Sequence, residues 1–298
     1  MSRRSTDSPV VVSGAAVLLP GADTVRALAE GPAEGGAPVE PAAHVGKKGL
    51  RYKDRATQLG YALTKAALRD AGLLAGAGEA KGDGSLTVPA HTVGVVASSN
   101  FGNLDTVARA LDTIRTETVT ATSPMDLPNA SSNVIASSAA IRFGLRGPNL
   151  MVCNGETSGL DAVHWAATMI AAGRVERVLV LGVEPDNDVV RRLTGGAGSV
   201  DGGAALVLEA GRAAAARDAS VRAVLGPYHR AAADTDPAGP DWRAPAHLGR
   251  ASGADGVLQV AAAVGRFDAG ERGAVRAVSG TAADDASADL LLLAPDAA

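Results

Sequence analysis

Few side chains in this sequence could do covalent chemistry. The 298 residues hold one cysteine, Cys153, and five histidines. A thiol is the obvious acyl-transfer nucleophile, and histidine the obvious proton shuttle. A single cysteine excludes an internal disulfide and any cysteine-based metal site. The histidines stand apart, without a His-x-x-x-His pair, so no protein metal site is expected. Cys153 lies in the short apolar run Met151-Val152-Cys153-Asn154, which reads as a strand. A thiol in a strand is expected to be a buried small hydrophobe. His164 falls on the apolar stripe of Leu160, Val163 and Ala167, the pattern of a core or interface histidine.

These residues must be positioned by an α/β scaffold. Hydrophobic residues make up 46% of the chain and aromatics only 3%, so the core is built from Ala, Val and Leu. The 36 glycines fit many tight strand-to-helix turns. Residues 10–19, 92–98, 149–154, 178–183, 204–208, 221–225 and 288–293 read as strands, several as continuous apolar runs covered on both faces. Residues 54–71, 104–115, 130–143, 158–172 and 257–264 read as helices, and residues 31–48 and 227–245 as loops. Residues 75–89 read as a mobile Gly-rich excursion and residues 1–9 as a disordered tail rather than a signal peptide. Strands alternating with helices imply a layered fold.

The net charge is −4 with scattered Lys and Arg, so nucleic acid is not an expected partner. No apolar run reaches membrane-spanning length, and a soluble cytoplasmic protein is the default. Two junctions look alike. Glu156-Thr157-Ser158-Gly159 opens one Ala-rich helix and Arg250-Ala251-Ser252-Gly253 another. Duplication of a half-domain and ordinary helix capping both account for this.

Residues 123–184 carry a longer pattern. Phe143, Gly144, Leu145, Gly147 and Pro148 form a turn before a strand. Ser158, Gly159 and Leu160 open a helix, Gly173 ends it, and Gly182 and Glu184 end the next strand. In order and spacing this resembles the β-ketoacyl synthase family, and Asp201-Gly202-Gly203 with residues 204–209 resembles that family's later strand. The resemblance implies a thiolase-like αβαβα fold of two duplicated halves, residues 10–217 and a reduced 218–298.

Counted from Pro148, the family's nucleophilic cysteine falls on Glu156. That cysteine works because a helix N-terminus lowers its pKa. A carboxylate there is merely a satisfied anion, since acyl transfer to it forms an anhydride. His247 takes the place of the family's second histidine, flanked by Ala246 and Arg250 where the family has glycines. The family's lysine falls on Trp242. The His-Gly-Thr motif is absent, and residues 284–293 lack the closing Gly-Phe-Gly-Gly run that helps build an oxyanion environment.

These departures resemble a chain length factor, the non-catalytic partner of an active ketosynthase. No catalytic residue is then expected, Glu156 being a degenerate nucleophile position and His247 a relic. The resemblance further implies a heterodimer with a cysteine-bearing ketosynthase, contact with an acyl carrier protein, and no cofactor of its own. The strand at 149–154, with Asn149, Met151, Cys153 and Asn154, is the implied pairing edge. Leu104, Leu111, Asn129 and Asn133 are implied at the interface or tunnel wall, although both asparagines could instead cap and satisfy backbone. A malonyl-carrier decarboxylase and a carrier-binding scaffold remain alternatives.

Overall fold

The computed structural model describes residues 8–76, 83–232, 239–281 and 283–297. The expected tail lies outside these residues except for 8 and 9, and the Gly-rich excursion and the 227–245 stretch fall partly outside them.

The chain begins with β1 (Val10–Leu18), α1 (Val25–Glu30), α2 (Pro41–Val45), α3 (Arg55–Asp70) and a ribbon of β2 (Leu74–Ala75) and β3 (Ser85–Leu86). Next come β4 (Val93–Ser98), α4 (Leu104–Thr116), α5 (Val134–Phe143), β5 (Asn149–Val152) and α6 (Ser158–Ala171). β6 (Arg177–Glu184), α7 (Asp188–Leu193), β7 (Gly202–Ala210) and α8 (Gly211–Ala215) follow. The last stretch holds β8 (Ala223–Ala232), α9 (Asp255–Asp268), β9 (Ala274–Ser279) and β10 (Ala286–Leu293).

Local chemistry explains the principal elements. Asp54 caps α3, its carboxylate accepting from the Thr57 N–H at 2.8 Å. Leu59, Ala62, Leu63 and Ala67 then form its buried stripe. β4 and β6 are buried along their whole length, as their unbroken apolar runs require.

Eight strands are ordered β5-β4-β6-β7-β1-β8-β10-β9. β4 is parallel to β5 and β6, and every other pairing is antiparallel. Only the pairs Val11↔Val224 and Val12↔Ala223 join β1 to β8, so a five-stranded and a three-stranded sheet meet there. α3 and α5 cover one face of the five strands. α6 and α9 lie on the other face, and β9 and β10 close over them from beyond. Leu160, Val163, Leu206, Leu258, Val275 and Leu290 share that central core. Among the described residues, 218–298 therefore hold no separate core. On the outer face of the three strands, Val224 and Leu293 pack with Ala214 of α8, while Arg276 stays exposed and Leu291 half-buried.

Several sequence expectations need correction. α2 lies inside the expected 31–48 loop. β8 continues through Pro227, because the ladder shifts register between Leu290 and Leu292 and leaves that proline without a ladder partner. β9 was not foreseen, since the exposed Arg276 interrupts its apolar pattern.

Candidate functional site

The turn between β5 and α6 is held by a dense hydrogen-bond network. Asn100 Nδ2 donates to the Gly155 carbonyl at 2.9 Å and to Ser252 Oγ at 2.8 Å. The Asn154 N–H donates to Ser158 Oγ at 2.8 Å. Asp161 accepts from Thr157 Oγ1 at 2.8 Å, from Asn154 Nδ2 at 2.5 Å, and from the Tyr228 hydroxyl. Beneath the turn lies Glu184, wholly buried. Its Oε1 accepts from the Asn100 N–H at 2.7 Å and the Gly253 N–H at 2.9 Å. Its Oε2 accepts from Ser99 Oγ at 2.8 Å and the Phe101 N–H at 3.0 Å. Burial nevertheless raises its pKa to about 7 against those four donors. This carboxyl pins the loop after β4 to the turn before α9. The two helices also start in backbone contact. A Cβ on Gly159 would sit 2.7 Å from the Gly256 nitrogen, and one on Gly256 would sit 2.4 Å from the Leu160 nitrogen.

Glu156 emerges from this turn just before the Thr157 N-cap of α6. Its carboxylate accepts from Arg250 Nη2 at 2.9 Å. Both side chains keep partial solvent contact, so the pair stabilises the fold by up to about 1 kcal/mol. The pair borders a polar cavity of about 330 Å3 that Arg243, Asp255, Gln259 and Thr281 also line. Burial raises the Asp255 pKa to about 6, against donors from Gln259 and Ser279, and Glu156 adds to the rise.

His247 does not join Glu156. Its turn, Ala246–Leu248, is followed by Gly249 at φ 84°. The Arg250 N–H donates to the Gly198 carbonyl, and the Val200 N–H to the Arg250 carbonyl. This tether sends Arg250 to the Glu156 cavity and His247 to a different one, shared with Asp186 and Asp201. There His247 Nδ1 is 3.9 Å from the exposed Glu34, too far for a hydrogen bond. Trp242 is structural: its indole N–H donates to the Leu28 carbonyl at 3.1 Å, and its ring packs on the central core.

Cys153 is exposed, contrary to the expected buried thiol, because β5 ends at Val152 and lies at the sheet edge. Partial burial and the Glu184 charge push its thiol pKa up, so it is no thiolate at neutral pH. His164 is exposed rather than core, its ring stacked on Tyr228 at 4.2 Å between centroids. Asn129 is buried inside the chain rather than facing a partner. It donates to the Tyr52 and Met125 carbonyls at 2.6 and 3.0 Å and accepts from Lys53 Nζ at 3.0 Å. Asn133 is exposed at the N-cap position of α5, makes no side-chain cap bond, and accepts from Ser131 Oγ.

The remaining residues of that group lie at or near the surface. Asn149 and Asn154 are exposed, and Met151 and Leu104 half-buried. Leu111 is 60% exposed, and Ile114, Val119, Met125 and Leu127, close to it in sequence, are exposed as well. Sequence reasoning missed Arg250 as the partner of Glu156. The available signal was a charge of opposite sign at each of the two look-alike helix junctions.

Residues 40–194, just over half of the chain, match the model of the β-ketoacyl synthase N-terminal domain. The chain belongs to the β-ketoacyl synthase family. Among curated relatives, 3-oxoacyl-[acyl-carrier-protein] synthase 2 of Vibrio harveyi is 32% identical over 142 residues, 47% of this chain and 32% of that protein. The enzyme of the same name from Vibrio cholerae is 30% identical over 141 residues, with the same two shares. The match thus spans about a third of the length of these relatives. Solved structures extend the likeness in fold over 96% of the chain. The ishigamide ketosynthase/chain length factor has a TM-score of 0.77 at 20% identity, and 99% of that chain is covered. A β-ketoacyl synthase from Burkholderia phymatum has a TM-score of 0.73 at 14% identity, also with 99% covered. The thiolase-like ketosynthase fold is thereby established for this β-ketoacyl synthase relative. Among its described residues no helix is long and apolar enough to cross a membrane.

Proposed function

We propose that this β-ketoacyl synthase relative is a non-catalytic subunit, a chain length factor, that pairs with a cysteine-bearing ketosynthase and shapes its acyl tunnel. One observation carries the reading: Glu156, on which the spacing from Pro148 puts the family's nucleophile, is ion-paired to Arg250. An acyl group on that carboxylate would be an anhydride, and forming it would strip Arg250 of its partner. His247 faces another cavity, so among the described residues no imidazole lines the Glu156 cavity to polarise a carbonyl. The exposed apolar residues of 111–127, Leu111 among them, and the β5 edge support a protein partner. The solved structures with this fold include a ketosynthase/chain length factor and a type II polyketide synthase acyl-carrier protein in complex with its ketosynthase.

The test is co-expression with a cysteine-bearing ketosynthase and an acyl carrier protein. The expected result is a stable heterodimer, an acyl group found only on the partner's cysteine, and a product length that changes when this chain is left out. An acylated Glu156, or β-keto product from this chain alone, refutes the reading. Carbon dioxide release from a malonyl carrier by this chain alone, abolished by Glu156→Ala, makes it a decarboxylase. Product length unaltered by bulky substitutions at the interface makes it a scaffold.

A further inference from the structure

The Glu156 cavity holds three carboxylates; Asp284 is satisfied by neutral groups, and Asp255 by neutral groups together with the nearby charge of Arg243. Asp255 Oδ2 accepts from Gln259 Nε2 at 2.6 Å and from Ser279 Oγ at 3.0 Å. Asp284 Oδ2 accepts from the Thr281 N–H at 2.8 Å and from Thr281 Oγ1 at 2.9 Å. Glu156 differs. Among the described residues its one hydrogen bond comes from Arg250, and Arg243 lines the same cavity. The Arg250 backbone is fixed on both sides by Gly198 and Val200, so its guanidinium reaches the cavity from a rigid base. A guanidinium has five donors in a planar fork, and a single bond to Glu156 Oε1 uses one of them. The cavity volume beside the pair, about 330 Å3, exceeds what a small carboxylate needs.

We propose that Arg250, in a cavity that Arg243 also lines, forms a carboxylate-binding site that the chain occupies with its own Glu156. The glutamate acts as an internal competitor. It holds one donor of the guanidinium while it stays paired, and displacing it frees the whole fork for an incoming carboxylate. The site takes a small mono- or dicarboxylate, recognised by fork geometry and charge. This goes beyond the subunit role and does not depend on it. It concerns what the cavity accepts, and it stands or falls whether or not a ketosynthase partner exists.

The experiment uses the full chain, with any partner that co-purifies, and succinate as probe at constant ionic strength. Binding is read by calorimetry and by the shift in thermal midpoint. Glu156→Ala is expected to bind succinate saturably, at least about tenfold more tightly than wild type, because the competing internal carboxylate is gone. Glu156→Ala combined with Arg250→Ala is expected to lose that binding. Glu156→Gln, which keeps the side-chain volume and removes the charge, decides the matter if the alanine variant does not fold. The proposal is overturned if wild type binds as tightly as the Glu156 variants or if neither variant binds. It is also overturned if binding survives loss of Arg250, or if an equal ionic strength of chloride gives the same shift.

Discussion

Replacing Glu184 by glutamine should change the pH dependence of stability more than stability itself. The buried carboxyl has an ordinary pKa of 4.5 in the unfolded chain and about 7 in the fold, raised chiefly by desolvation. At about 1.4 kcal/mol for each tenfold change in proton affinity, this amounts to about 3 kcal/mol. The sign follows from proton counting. Between those two values the native state holds a proton that the unfolded state has released. The contribution is therefore fully present below 4.5 and is lost as the pH rises through about 7. Glutamine cannot titrate. Its amide oxygen can replace one carboxylate oxygen, but its NH2 faces the donors of the other. If the NH2 stands in for Oε2, the Phe101 N–H loses its acceptor, at a cost of about 1–3 kcal/mol. Asp255, raised to about 6 mainly by burial, titrates in the same direction in both proteins, so the difference between them is what counts. Urea unfolding at a series of pH values supplies it. Wild type should lose about 3 kcal/mol more than Glu184→Gln on going from acid to mildly alkaline pH. Parallel stability curves for the two proteins would refute the assignment.

Other expectations follow from equally specific contacts. Gly256→Ala drives a Cβ against the Leu160 nitrogen and should cost about 1–3 kcal/mol of overpacking, read as a lower urea midpoint with unchanged slope. Arg177→Met removes the 2.8 Å partner of the buried Glu209 and should destabilise by about 3 kcal/mol, with Arg217 still paired to that carboxylate. Burial pushes the Glu209 pKa up, but Arg217, Ser13 and Arg177 together hold it below its ordinary 4.5. Its stabilisation is thus present above that value and lost as the pH falls further, a loss the Arg177 variant should show less of in acid unfolding. Asn129→Ala frees the Tyr52 and Met125 carbonyls and should lower stability by about 1–3 kcal/mol without altering partner capture, since the side chain faces inward. Leu111→Lys should leave thermal unfolding of the chain alone within about 0.5 kcal/mol of wild type. The same change should weaken co-purification with a ketosynthase; undiminished capture would place the interface elsewhere.

The sequence alone determined what is written in contiguous residues. The unbroken apolar runs of β4 and β6 required strands covered on both faces, and the capped stripe of α3 required a helix. The spacing from Pro148 placed Glu156 at the turn before α6. Tertiary structure decided whatever depends on which distant segment covers or reaches a side chain. Arg250 meets Glu156 across 94 residues, and only the tether to Gly198 and Val200 separates it from His247 three residues earlier. Cys153 is exposed because β5 lies at the edge of its sheet, whereas its apolar neighbours suggested burial. β8 carries Pro227 because the register shift against β10 asks no hydrogen bond of it there. Periodicity and motif report local backbone preference. Burial, pairing and charge compensation are set by neighbours that the fold supplies.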